Sequence, residues 1–176
     1  MNIVSHMFLG VILLKILNLV NPIGFPFTSN YILIAMIFSI LPDLDVLWNK
    51  KKIDDHHETP FHTTLFWMTI AFILLMINFF LEGTMIFIVI LFILTILGHL
   101  FFDFIFGRFS GVPIFEPFCS RKYVLFSPYN YSTNISPTKI SKKKYKEWAK
   151  MYFENRYLIA LETIIWIVAI LLLVIR

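Results

Sequence analysis

His99 and Asp103 sit four residues apart near the end of an otherwise apolar run, Met85 to Phe106. On a helix that spacing stacks them on one face. An imidazole and a carboxylate surrounded by hydrocarbon are costly unless they pair, bind a metal or handle protons. Residues of the same chemical types recur elsewhere in tight groups. Asp43 and Asp45 follow the helix-breaking Pro42, and His57 and His62 flank Thr59-Pro60. The spacing of His57 and His62 is not helical, so they come from a loop and a helix start. Neutral imidazoles and carboxylates are ligands for zinc, manganese or iron, with zinc the usual choice for a His-rich site. There is one cysteine, Cys119, so neither a Cys-rich zinc site nor an internal disulfide can form. The candidate ligands are therefore His57, His62, His99, Asp103 and one of Asp43 and Asp45. His6, at the start of the first apolar run, is either an interfacial residue or a further ligand.

Such a set exceeds one tetrahedral site, which makes two ions bridged by an aspartate an option. Two neighbouring ions suit phosphoester hydrolysis, because they hold both the attacking and the leaving oxygen. Asp45 or Asp103 would bridge. Glu162 is the only acid in the last apolar run. It is a candidate ligand, general base or lysine partner, or it snorkels to the interface. Glu116, between Pro113 and Pro117, is a weaker candidate for the same mouth. His56 reads as solvated, and Asp54 and Asp55 as partners of the nearby lysines.

The elements that must position these groups are apolar. The chain has 176 residues, of which 59% are hydrophobic and 20 are phenylalanine, and its mean hydropathy is +0.79. A soluble domain of this length cannot hide so much apolar surface, so the expected solvent is lipid. One domain spanning residues 1–176 is expected. The N-terminus lacks a basic region and a small-residue cleavage motif, so no cleavable signal peptide is expected. Five apolar runs stand out: 7–20, 31–41, 61–81, 85–106 and 157–175. Thr59 and Pro60 supply cap and first-position chemistry for the third. The expected fold is an all-α integral membrane protein of about five transmembrane helices, with a long cytoplasmic loop. The Lys50–Lys52 loop and the basic loop before the last run both fall inside by the positive-inside rule. The N-terminus is then inside and the C-terminus outside. In that topology every histidine and aspartate lies at one membrane level, on the cytoplasmic side.

The net charge is +4, yet residues 139–156 hold seven basic and two acidic side chains. Residues 136–156 read as an interfacial amphipathic helix, with Ile140, Tyr145, Trp148, Met151 and Tyr152 at rough helical spacing. Membrane lipids with anionic headgroups are the expected partners, and nucleic acid is not. Residues 122–131, rich in Tyr, Phe and Val, suggest a short hairpin.

Several motifs occur in a recognisable order. These are Ser5-His6, Leu41-Pro42-Asp43-Leu44-Asp45, His57-Glu58-Thr59-Pro60-Phe61-His62-Thr63, Gly98-His99-Leu100-Phe101-Phe102-Asp103 and Gly111-Val112-Pro113-Ile114-Phe115-Glu116-Pro117. In this the chain resembles the YdjM-type, LexA-regulated, membrane-bound metal-dependent hydrolases over residues 5 to about 128. The resemblance implies metal ligands at His6, Asp43, Asp45, His57, His62, His99 and Asp103. Where that family often carries an arginine after the first histidine of the third motif, this chain has Glu58.

Residues and resemblance together lead to one expectation. It is a multi-pass membrane hydrolase that uses zinc, or alternatively manganese, with one or two ions. Its substrate would be a phosphoester of a lipid or other amphiphile at the cytoplasmic interface. The alternatives are a divalent-cation transporter or sensor, and a membrane protein with a purely structural metal. A carrier needs polar residues in the outer halves of its crossings, and the third run offers only Asn78 there.

Overall fold

The computed structural model describes residues 2–20, 28–44, 60–106 and 156–174, and single positions 116, 118, 125 and 153. Among them the chain forms five α-helices and no strand. These are α1 (Ile3–Val20), α2 (Ser29–Ile40), α3 (Thr64–Phe80), α4 (Ile86–Phe106) and α5 (Arg156–Val174). Short 3-10 turns, Leu41–Leu44 and Pro60–His62, follow α2 and precede α3.

Three helices, α1, α4 and α5, are long and apolar enough to cross a membrane. The stretch Ser29–Leu44 and α3 are shorter apolar helices. At 1.5 Å per residue, the 17 residues of α3 reach about 26 Å, against a hydrocarbon core of roughly 30 Å. Large apolar side chains face outward all along the bundle, including Leu33, Phe72, Phe79, Ile167 and Leu171. In water such a surface would aggregate, whereas in lipid it is the favourable one.

The packing is tightest between α1 and α2. A Cβ placed on Gly10 would lie 2.5 Å from the Ala35 carbonyl oxygen and 2.9 Å from Ser39 Oγ. Only glycine permits that approach, as small residues do at membrane helix contacts generally. Above this contact, Leu14, Leu17, Ala35, Phe87 and Leu91 form one buried cluster of α1, α2 and α4. Trp67, Phe92, Ile96 and Leu100 join α3 to α4 in a second. Leu158 and Ile165 of α5 pack with Phe8 and Ile12 of α1 and Phe102 of α4 in a third.

The tight connection expected at 82–84 is present. Glu82 and Gly83 have φ of 53° and 79°, which reverses the chain within one turn. Asn78 anchors it: its Oδ1 accepts from Met85 N–H at 2.9 Å, and its carbonyl accepts from Gly83 N–H at 2.8 Å.

One expectation is corrected. Pro60 opens a 3-10 turn and not the helix. The cap of α3 is Thr63, whose side chain accepts from Phe66 N–H at 3.4 Å. Both threonines have cap chemistry, and the one adjacent to the uninterrupted apolar run is used. The expected amphipathic helix at 136–156 and hairpin at 122–131 lie outside the described residues, except for Leu125, Phe153 and Arg156. Leu125 N–H bonds to the Phe104 carbonyl at 2.9 Å, returning the chain to the end of α4.

Candidate metal centre

The helices alternate in direction, so the start of α1, the end of α2, the start of α3 and the end of α4 meet at one end of the bundle. Each delivers a polar side chain there. His6 lies in the first turns of α1. Asp43 lies in the 3-10 turn that Pro42 helps to start, because a proline nitrogen cannot continue the hydrogen bonding of α2. His62 closes the turn before α3, and Trp67 Nε1–H holds that turn by donating to the Phe61 carbonyl. His99 and Asp103 share one face of α4, as their spacing requires.

Side-chain atoms of Asp43, His62, His99 and Asp103 all lie within 4.8 Å of one another, and all four residues are buried. His99 Nε2 is 3.0 Å from Asp103 Oδ2 and 3.7 Å from Asp43 Oδ1. His62 Nε2 is 3.8 Å from each of those two oxygens. Ligand bonds of about 2.0–2.1 Å in a tetrahedral site place neighbouring donors roughly 3.4 Å apart. The distances of 3.0 to 3.8 Å between imidazole nitrogens and carboxylate oxygens bracket that value, so the group could hold one divalent ion. His6 stands beside this group: its Nε2 is 3.2 Å from the other Asp103 oxygen. Its ring stacks on that of His99, with centroids 3.8 Å apart.

Ser39, which the sequence reading passed over, organises the pair. His99 Nδ1 is 2.7 Å from the Ser39 carbonyl. A carbonyl can only accept, so Nδ1 carries the hydrogen. In a neutral ring the Nε2 lone pair then faces two carboxylates. That is repulsive unless a second proton or a cation lies between them. Among the described residues, neither ring nitrogen of His6 nor His99 Nε2 makes a hydrogen bond. Three buried rings and two buried carboxylates would carry a net negative charge away from water, at a cost of several kcal/mol per ion. A divalent cation removes that cost, and the donor set fits one. Ser39 Oγ also donates to the His6 carbonyl. One residue thereby ties both α1 and α4 to α2 beside the site, the kind of outer contact that orients a ligating imidazole.

Not every candidate from the sequence is brought together. Asp45, His56 and His57 lie outside the described residues. Glu116 is a half-buried turn residue and is not among the converging four. Glu162, considered for a catalytic part, is buried on α5 but is not among the converging four. Its carboxylate accepts from Asn2 N–H and from Asn2 Nδ2–H, at 2.9 and 2.7 Å. Ser39 carried a faint signal, as a hydroxyl in an apolar run four residues before Asp43.

Comparison with known proteins adds a family. Neither the curated proteins nor the solved structures include a significant match. The family model described as YdjM inner membrane protein, in contrast, matches residues 1–176. The chain, matched over its whole length, belongs to the YdjM inner membrane protein family.

Proposed function

We propose that this chain is an integral-membrane, metal-dependent hydrolase acting on a phosphoester of a lipid or other amphiphile at the cytoplasmic face. The observation that carries the reading is the buried convergence of Asp43, His62, His99 and Asp103, with His99 oriented by Ser39. Those four residues would hold the ion, with zinc favoured and manganese the alternative. A divalent ion bound there would polarise a phosphoryl oxygen and lower the pKa of water toward neutrality. Asp103 presents its second oxygen to His6. His6 is thereby placed to take or return a proton at its Nε2, or to act as a further donor. Asp45 and His57 are proposed as the additional ligands of a second ion.

With five crossings and the N-terminus inside, as the charge distribution suggests, the site would lie at the cytoplasmic end. The basic segment 139–156 would lie on the anionic surface beside it. A groove of about 490 Å³ lies on the outward face of α4, lined by Leu13, Thr64, Leu94, Leu97, Gly98 and Phe101, with His99 turned away from it into the bundle. Apart from Thr64, its lining is apolar, a match for the hydrocarbon part of an amphiphile.

The transporter alternative is less well supported. Asn78, the polar residue in the far half of α3, is committed to the turn that follows it. Thr95 of α4 donates to carbonyls of its own helix. Neither is placed as a step for an ion. The test is hydrolysis by the purified chain against phospholipids and isoprenoid phosphates, with and without added zinc or manganese. Metal-dependent release of phosphate or of a phosphorylated headgroup is expected. A metal-loaded protein with no turnover across both classes would favour a structural metal instead.

A further inference from the structure

Glu162 is only 3% exposed, in a helix of spanning length. A carboxylate there is expensive unless something specific receives it. What receives it is the start of α1. Asn2 donates to it twice, from the backbone N–H at 2.9 Å and the side-chain amide at 2.7 Å. Asn2 is also the cap of α1. Its Oδ1 accepts from Ser5 N–H at 2.8 Å, and its carbonyl accepts from His6 N–H at 3.2 Å. One turn along α5, Trp166 Nε1–H donates to the Ser5 hydroxyl at 2.9 Å. In a capping box an acid in the helix's own first turn reaches back to the cap N–H. Here the acid comes from another helix, 160 residues away in sequence. It also sits at the positive end of the α1 dipole, where a carboxylate is favoured.

His6 follows directly on this cap. Its N–H is held by Asn2, and its carbonyl is held by Ser39 Oγ. A helix rotation of about 10° moves a ring nitrogen lying roughly 6 Å from the axis by about 1 Å. A shift of that size is enough to break the 3.2 Å approach of His6 Nε2 to Asp103. The rotational setting of α1 therefore decides whether His6 meets Asp103.

We propose that Glu162, assisted by Trp166, is a positioning residue of the metal centre. It locks the first turn of α1 so that His6 stays on Asp103, and it supplies no ligand itself. This rests on the metal-centre reading above.

The test is Co²⁺ titration of the full chain in detergent, read by visible absorption and by chelator competition. The samples are the wild type, Glu162→Gln, His6→Ala and the double variant. Glutamine offers one acceptor oxygen to two donors, so the clamp is broken at almost constant volume. Glu162→Gln should weaken Co²⁺ binding about 10-fold or more and alter its visible spectrum. In the His6→Ala background the same change should add less than about 2-fold, because the two residues act as one unit. Undiminished affinity in Glu162→Gln, or losses that add in the double variant, would overturn the proposal. A wild type that takes up no Co²⁺ overturns the metal reading itself, and needs no variant to show it. If Glu162→Gln does not fold, Trp166→Phe removes only the bond to Ser5. It should weaken binding by a smaller factor that vanishes without His6, and an effect that persists there, or none at all, counts against the clamp.

Discussion

The imidazole of His99 gives its Nδ1 hydrogen to the carbonyl of Ser39 at 2.7 Å and turns Nε2 toward Asp103, 3.0 Å away. The bond to Ser39 sets the tautomer, and the tautomer decides what the buried group can do. With Nδ1 fixed as donor, Nε2 carries the lone pair of the neutral ring and could ligate a metal.

Removing a converging ligand should therefore abolish tight binding. Asp103→Asn and His99→Ala are expected to weaken metal affinity by more than the roughly 10–100-fold typical of an outer contact. Chelator competition on the purified variants measures this. Hydrolysis, if present, should fall with it.

Metal uptake should depend on pH in one direction. Imidazoles ligate only when neutral, so protonation competes with the ion. Affinity should rise with pH as the ligating imidazoles lose their protons and should be lost on acidification. Titration carried well into the acid range reads the slope, and affinity undiminished by acid throughout would exclude histidine ligands.

Two glycines should respond differently to alanine. At Gly10 the added methyl meets the Ala35 backbone at 2.5 Å, so α1 and α2 must separate. The cost should be about 1–3 kcal/mol, beyond what alanine returns in helix propensity. At Gly98 the near atom is Leu13 Cδ1, the movable end of a side chain. Gly98→Ala should be tolerated within about 1 kcal/mol. Thermal unfolding in one detergent compares the two, and the pair should rank in this order.

Stripping the ion should also lower stability, because an ion that binds only the folded chain stabilises it by mass action. About 3 kcal/mol is expected where free metal exceeds its Kd 100-fold. The melting temperature with and without chelator checks this, and no shift should appear in Asp103→Asn.

Much of the site was legible because helical geometry is local. His99 and Asp103 had to share a face, and Pro42 marked where α2 would stop and offer Asp43. His62 was placed at the correct end of its helix, although the cap moved from Thr59 to Thr63, since either threonine can cap. Ser39 acts on His99 through a backbone carbonyl, which every residue type possesses, so its identity gave little away. Glu162 stands out in the sequence as the only acid of the last apolar run, with snorkelling to the interface left open, and the structure buries it. Its partner Asn2 could not be read from the sequence, because the two meet only when α5 packs on α1. The split between three helices long and apolar enough to cross a membrane and two shorter apolar ones follows from where the turns cut the apolar runs.

The most direct measurement is elemental analysis of the purified chain, folded in detergent without added metal or chelator. At least about one divalent zinc or manganese ion per chain should be present, and it should be missing from His99→Ala. A wild-type chain that is folded, free of divalent metal and unable to take it up on addition would contradict the metal centre.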